Sequence, residues 1–321
     1  MLLKLIPDNT SIGFTRMRFI ALVFSAILVV ASLGALFTLG LNFGVDFKGG
    51  VTIEVADDEP IDVAAVRTAV SDLGLGSVDV QTIKDFADAD EAVLIRISQQ
   101  EADDSDDETA GETAQQAASI AVQDAMRTLL GDGVNFRKVE VVGPTVSGEL
   151  VQKGALAVAL AIGMMLIYIW LRFEWQFSLG AIIALVHDVI ITLGMFAVTR
   201  LEFNLAIIAA ILTIVGYSMN DTVVVYDRVR ENLRKFKQKP LAELLDVSIN
   251  DTLTRTIMTS GTTMLALMAL VIFGGEVLRG FTLAMIWGIV IGTYSSIFVA
   301  SPFLLATGVK RDWSKAVPVG A

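Results

Sequence analysis

Residues 203–226 read FNLAIIAAILTIVGYSMNDTVVVY. The run is long enough to cross a bilayer, which takes about 20 apolar residues for a hydrocarbon core about 30 Å thick. Inside its GYSMNDT segment (216–222) it carries a carboxylate, Asp221. A charged side chain at that depth costs roughly 2.5–3.5 kcal/mol on insertion scales, so such a residue faces a bundle interior and marks an ion or proton path. The stretch therefore points to a polytopic α-helical membrane protein with a function seated inside the membrane.

The rest of the composition agrees. Hydrophobic residues make up 54% of the 321-residue chain, with 26 glycines, and the mean hydropathy is +0.65, beyond what a soluble domain of this size carries. Uncharged apolar runs of spanning length occur at 19–39, 154–171, 203–220 and 281–306. Two more, 177–199 and 256–275, are interrupted by His187-Asp188 and by a Thr/Ser-rich stretch, and complete six expected transmembrane helices. The first run is 21 residues long, which exceeds the 7–15 residues of a signal-peptide core and marks an uncleaved anchor. Thirteen Lys and Arg residues fall in short segments on one side, against Lys153, Arg200 and Arg279 on the other. By the positive-inside rule both termini are expected in the cytoplasm.

That orientation places region 40–150 outside. It holds 7 Lys+Arg against 23 Asp+Glu, a net charge of −16, whereas the remainder has 17 against 12, a net of +5. An acidic external field argues against nucleic acid as a partner. Apolar periodicity predicts strand 51–55, helix 61–73, strand 78–84, strand 92–98, helix 113–130 and strand 134–142. The order β-α-β-β-α-β is that of an α+β ferredoxin-like unit. The expected organisation is a cytoplasmic N-terminus with helix 1 (1–39), this domain (40–150), helices 2–6 (151–306) with a basic cytoplasmic loop at about 227–254, and a cytoplasmic tail (307–321). The acidic run EADDSDDE (101–108) lacks the ligand spacing and turn glycine of a calcium loop and reads as a solvated loop. With no cysteine and one histidine, disulfides, thiolate catalysis and cysteine-type zinc sites are excluded, and no enzymatic chemistry, cofactor or metal is expected.

Several polar groups in or beside the spans are candidates for function. Tyr217 and Ser218 precede Asp221 by four and three residues, on one helix face, where they can donate to its carboxylate or line a hydrated channel. Asn220 lies about 100° away, suited to bonding another helix or to packing. Arg255 is the natural counter-ion for Asp221, in competition with a local i,i+4 pair to Asp251. His187-Asp188 reads equally as an interhelical hydrogen-bond knot or a proton relay. Gly49-Gly50 and Gly143-Pro144 bound the external domain as hinges or as ordinary turn formers.

Six segments together resemble a known family. They are NFGVDFKGG (42–50), VGPTVSGEL (142–150), YIWLRFEW (168–175), LVHDVIITLG (185–194), GYSMNDTVVVYDRVREN (216–232) and TLTRTIMTSGTT (252–263). In this order, over essentially the whole chain, they resemble the SecD/SecF family of protein-export membrane proteins, within the resistance-nodulation-division superfamily. An external region of about 110 residues is similar to the SecF type and not to the larger SecD type. The resemblance implies a six-helix half that pairs with a SecD half about a pseudo-twofold axis in the bacterial inner membrane. It also implies association with the SecYEG channel and YajC, and use of the proton-motive force to assist late translocation of a preprotein. The motif positions it links to proton passage fall on Asp221 and Arg255. Asp251, charged where relatives carry an uncharged residue, leaves the partner of Arg255 open, and the acidic run is an elaboration. Two other readings stand beside this one: a proton-driven exporter of small or lipidic solutes, and a translocon scaffold that carries no protons and has no need of Asp221.

Overall fold

The computed structural model describes residues 10–57, 59–84, 91–100, 110–131 and 133–309. A 3-10 turn at Phe14–Met17 leads into the first membrane helix, α1 (Arg18–Thr38), and then into a short strand, β1 (Asn42–Phe43), and one helical turn, α2 (Val45–Lys48). The α/β domain follows as β2 (Gly50–Ala56), α3 (Val63–Ser71), β3 (Val78–Lys84), β4 (Glu91–Ile97), α4 (Ala110–Leu130) and β5 (Asn135–Val142). The strands form one antiparallel sheet in the order β3-β4-β2-β5, the topology expected of the split β-α-β-β-α-β unit. Strand periodicity sorts its two faces. Val51, Ile53, Val55, Val93 and Ile95 pack on Val66, Val70, Val122 and Met126 of the two helices. Thr52, Glu54 and Arg96 point the other way, into a cleft of about 580 Å³ that also reaches Arg200 and Glu202 of the membrane part. Helix α3 starts two residues later than the apolar pattern suggests because Asp62 caps it, accepting from the Ala64 N–H at 2.8 Å. The acidic run 101–108 and the basic residues Lys4, Lys310, Arg311 and Lys315 lie outside the described residues.

The chain then continues through α5 (Pro144–Arg172), α6 (Trp175–Thr199), a two-residue strand β6 (Glu202–Phe203), α7 (Leu205–Lys235), α8 (Leu241–Phe273) and α9 (Gly275–Ser295). A single π turn (Ser296–Ala300) joins α9 to α10 (Ser301–Thr307). Among the described residues six helices are long and apolar enough to cross a membrane. Several outrun their apolar stretches, which corrects the expected loop at about 227–254. Helices α7 and α8 continue as a helical hairpin, leaving only residues 236–240 outside them. Polar side chains hold this extension: Arg228 pairs with Asp251 (2.8 Å) and Glu231 (2.6 Å), and Asn232 donates to Ser248 Oγ at 2.9 Å.

Helices α6, α7 and α9 with α10 form the inner layer, with half or more of their most apolar stretches buried, whereas those of α1, α5 and α8 are largely uncovered. Close approach inside that layer depends on absent side chains. A Cβ on Gly288 would collide with Ile214, and one on Gly292 would sit 3.0 Å from Ser218 Cβ. The i,i+4 pair of glycines thus lets α9 lie against α7, as small residues do between membrane helices.

A clasp ties the domain end of the bundle together. β1 and β6 pair in parallel, Asn42 with Glu202 and Phe43 with Phe203. Arg200, left-handed at φ 57° where α6 ends, donates to the Leu39 and Gly40 carbonyls just past α1 at 2.8 and 2.9 Å. Asp46 accepts from the Leu205 N–H (2.9 Å) and Asn204 from that of Ile207 (3.2 Å), satisfying two of the free donors at the start of α7. Arg96 of β4 makes an ion pair with Glu202, so the sheet is also bonded to the clasp across the cleft.

Candidate functional site

The centre of the bundle gathers two carboxylates and five polar side chains from four helices. Asp188 of α6 is 1% exposed. Its Oδ1 lies 2.9 Å from Nδ1 of His187, and its Oδ2 accepts from Ser218 Oγ of α7 (2.5 Å) and from Ser295 Oγ, the last residue of α9 (2.7 Å). Asp221 of α7 accepts from Thr256 Oγ1 of α8 on Oδ1 and from Ser296 Oγ, the first residue of the π turn, on Oδ2, both at 2.6 Å. Two consecutive residues of one helix therefore bind carboxylates carried by two others.

The π turn has its own support. Ser301 Oγ donates to the Ser296 carbonyl (2.9 Å), and the Tyr226 hydroxyl donates to that of Ala300 (3.0 Å). Such one-turn π segments recur at functional sites. Along the membrane normal the carboxylates differ in depth. Asp188 is 11 residues from Thr199 and Asp221 is 16 from Leu205, or about 16 and 24 Å from the domain-side helix ends at 1.5 Å per residue. Among the described residues, no lysine or arginine is bonded to either carboxylate. Every donor other than His187 is a neutral hydroxyl. His187 stacks on Tyr294 at 6.2 Å, and Tyr294 in turn meets Ser25 Oγ at 3.0 Å and donates to the Ala21 carbonyl at 2.8 Å, joining α1 to the cluster. His187 Nε2, Thr192 Oγ1 and Thr222 Oγ1 are buried without a hydrogen-bond partner among the described residues.

Residues 121–310 match the family "Protein export membrane protein SecD/SecF, C-terminal", and residues 34–56 match the SecD/SecF GG motif. The chain belongs to the SecD/SecF family. Protein translocase subunit SecF of Cereibacter sphaeroides is 46% identical over 315 residues, spanning 98% of this chain and 94% of that protein. The SecF subunit of Rhodobacter capsulatus is 44% identical over 318 residues, spanning 98% and 95%. Among solved structures, SecDF from Thermus thermophilus superposes with a TM-score of 0.81 at 33% identity over 95% of this chain. SecDF in a super-membrane-facing form gives 0.63 at 34% identity. This chain spans about 40% of the length of the solved SecDF chain.

Within this SecD/SecF bundle the sequence-derived candidates separate. Asp221, Ser218, His187 and Asp188 come together. Tyr217 and Ser218 share a helix face with Asp221, as expected, yet neither donates to it. Ser218 is turned to Asp188 on α6, and Tyr217 to Ser260 on α8 at 3.4 Å. An i,i+3 relation places residues on one stripe, and the neighbouring helix decides the bond. Asn220 is exposed and makes no hydrogen bond among the described residues. Arg255 is exposed as well and is bonded to neither proposed partner. It acts on Asp221 only through space, and Asp251 is taken by Arg228 and Asn232.

Gly49 and Gly50 have φ 69° and 120°, and a Cβ on Gly50 would strike the Ile97 carbonyl. Gly143 is extended, and Pro144 is the first residue of α5. Gly50 pairs with Val142, so all four residues sit where the domain's adjacent strands leave the membrane part. No group of three or more acidic or histidine residues that could hold a metal gathers among the described residues. Sequence reasoning missed Thr256, Ser295, Ser296 and the glycines at 288 and 292. The polar insertion GTYSS (292–296) within an otherwise apolar span was the available signal.

Proposed function

We propose that this chain is the SecF-type subunit of a bacterial protein-export machine, in which protons passing through the six-helix bundle assist late translocation of preproteins through the SecYEG channel. One observation carries the reading: two carboxylates are buried in the membrane core on hydroxyl donors, Asp188 also against His187, and among the described residues neither is bonded to a lysine or arginine. A carboxylate clamped by arginine keeps its charge, and protonating it strands a buried cation. One held by hydroxyls takes up a proton and stays hydrogen-bonded. Asp221 is the principal proton carrier, and Asp188 with His187 is a second station nearer the domain.

The remaining features fit this role. Arg255 and Asn220 are exposed on membrane helices, where a bare charge toward lipid is costly, so this face suits a second bundle, the SecD half, with YajC as a further associate. The excess of basic residues on the side away from the α/β domain supports cytoplasmic termini and a periplasmic domain in the inner membrane. A proton crossing releases about 2.3 kcal/mol per 100 mV and about 1.36 kcal/mol per pH unit, enough to bias a two-state element by tens to hundreds of fold. The helix shift is passed to the domain at its roots, Gly49-Gly50 and Gly143-Pro144. No cofactor or covalent chemistry enters this scheme.

Asp221→Asn tests it, because the isostere keeps hydrogen bonding and loses the titratable charge. Secretion is followed with and without an uncoupler, with membrane levels checked by blotting. The expected result is normal insertion and loss of the uncoupler-sensitive stimulation. Unchanged, uncoupler-sensitive stimulation in the variant would favour the scaffold and sink the proton site.

A further inference from the structure

The hydroxyls of Ser295 and Ser296 each stand between two acceptors. Ser295 Oγ lies 2.7 Å from Asp188 Oδ2 and 3.1 Å from the Gly292 carbonyl of its own helix. Ser296 Oγ lies 2.6 Å from Asp221 Oδ2 and 3.0 Å from the Thr293 carbonyl. The other donors differ. Ser218 Oγ reaches only Asp188, and Thr256 Oγ1 only Asp221, among the described residues.

A hydroxyl has one proton to donate and two lone pairs. Facing an ionised carboxylate it donates there, because charge-assisted bonds are roughly twice as strong as neutral ones. A proton taken from water onto Oδ2 reverses the roles. The new carboxyl O–H donates to the serine oxygen, and the serine proton turns back onto the carbonyl three residues earlier. Each site gains one proton, no covalent bond to carbon changes, and every polar atom stays paired. What changes is where the serine's own donor bond goes: across to α6 or α7 in one state, within α9 in the other.

We propose that Ser295 and Ser296 are positioning residues, two hydroxyl toggles at the junction of α9 and the π turn that convert protonation of Asp188 and Asp221 into loosening of the last membrane helix from α6 and α7. This rests on the reading of both carboxylates as proton carriers. The π turn suits the role. Its register is fixed by side-chain bonds from Ser301 and Tyr226 to the carbonyls at its two ends, so a small change in tethering falls on the segment of the helix that already departs from α geometry. The groups facing the toggles are few. Asp188 meets His187 from its own helix, Ser218 from α7 and Ser295 from α9, with Tyr294 stacked behind the imidazole. Asp221 meets Thr256 from α8 and Ser296 from the π turn, with Arg255 acting through space.

The absence of native cysteine permits a direct test on the full chain in lipid nanodiscs. Spin labels at the exposed positions Arg234 on α7 and Ala306 on α10 report the separation of the two helices across a pH series. Infrared spectra of the same samples follow the carboxyl band of Asp221, assigned by its loss in Asp221→Asn. The unsubstituted serines should give a distance change that tracks the band, and Asp221→Asn should hold the low-pH distance at every pH. Ser296→Ala should leave the band titrating and lose the distance change. Thr256→Val removes a donor from the same carboxylate without removing a toggle, so it should move the midpoint and keep the full change. A full change in Ser296→Ala, or equal loss in Thr256→Val, overturns the proposal and leaves the proton reading standing. A carboxyl band that never titrates overturns both. Should Ser296→Ala fail to accumulate, Ser295→Ala is followed through the Asp188 band and labels at Leu179 on α6 and Ala306 on α10 instead, with the same loss expected and a full distance change again overturning the proposal.

Discussion

Ile53 in the α/β domain and Ile214 in the membrane bundle are 0% and 1% exposed, yet their burial does different work. Ile53 sits among valines, isoleucines and a methionine between sheet and helices, and leaving water for that site is worth roughly 1.5–3 kcal/mol. Ile214 lies against Gly288 of α9, one turn from Ser218, in a helix whose unpacked surroundings are lipid. Lipid is as apolar as isoleucine, so the transfer gain is absent, and what joins α7 to α9 is close packing and hydrogen bonding. The domain core consequently contains little polar chemistry, whereas the bundle core is rich in hydroxyls and glycines. The same hydroxyls then serve as ligands for the two carboxylates.

The sharpest way to break this contrast is Ile53→Ala in the fragment 50–142. A cavity in a water-driven core should cost about 2–5 kcal/mol, measured as a lower urea midpoint with unchanged slope. A cost under 1 kcal/mol would show that the sheet and helices are loosely packed. The membrane counterpart is Gly288→Val. The new side chain overlaps Ile214, and overpacking of this kind costs about 1–3 kcal/mol, read as a lower melting temperature of the full chain in detergent. Combining it with Ile214→Ala should restore much of the loss, since the two changes share one contact. Additive losses would mean that α7 and α9 do not meet there. The smallest effect is expected at the bridge between the regions. The side chains of Arg96 and Glu202 are 21% and 23% exposed, and such a pair contributes at most about 1 kcal/mol. Arg96→Gln should destabilise the full chain by no more than that, and the fragment, which lacks Glu202 and keeps only the 3.9 Å approach of Arg96 to the exposed Asp79, by less. An equal loss in the fragment would assign Arg96 to a role within the domain.

The same contrast explains how much was legible in the sequence. Six spans and a split α/β unit follow from apolar runs and from periods of 2 and 3.6, which are local properties. The site was half legible. Asp221 and His187-Asp188 stand out because charge inside an apolar run is costly, but a threonine or serine in such a run is ordinary. Thr256, Ser295 and Ser296 acquire meaning only from carboxylates 35, 107 and 75 residues away in the chain. Arg255 failed as a bonded counter-ion for the same reason, since its helix turns the threonine beside it, and not the guanidinium, toward Asp221. The basic stretch after 227 was misread as a loop because its charges hide a helix held by pairs such as Arg228–Asp251.

The clasp at the domain end bears on how the protein is made. Arg200 closes on carbonyls of Leu39 and Gly40 synthesised about 160 residues earlier. At 5–20 residues per second that is a wait on the order of ten seconds or more, during which N-terminal units already fold. Through that interval β1 has no parallel partner and the end of α1 lacks the guanidinium that caps it, while α7 does not yet exist. The α/β domain, complete in sequence by Val142, can fold meanwhile with its paired strands β2 and β5 holding α2 beside the start of α5. Closure of Arg200 on the end of α1 then marks the moment at which the first half of the chain is joined to the second, so it is a late event in assembly and a natural checkpoint between insertion and a finished bundle.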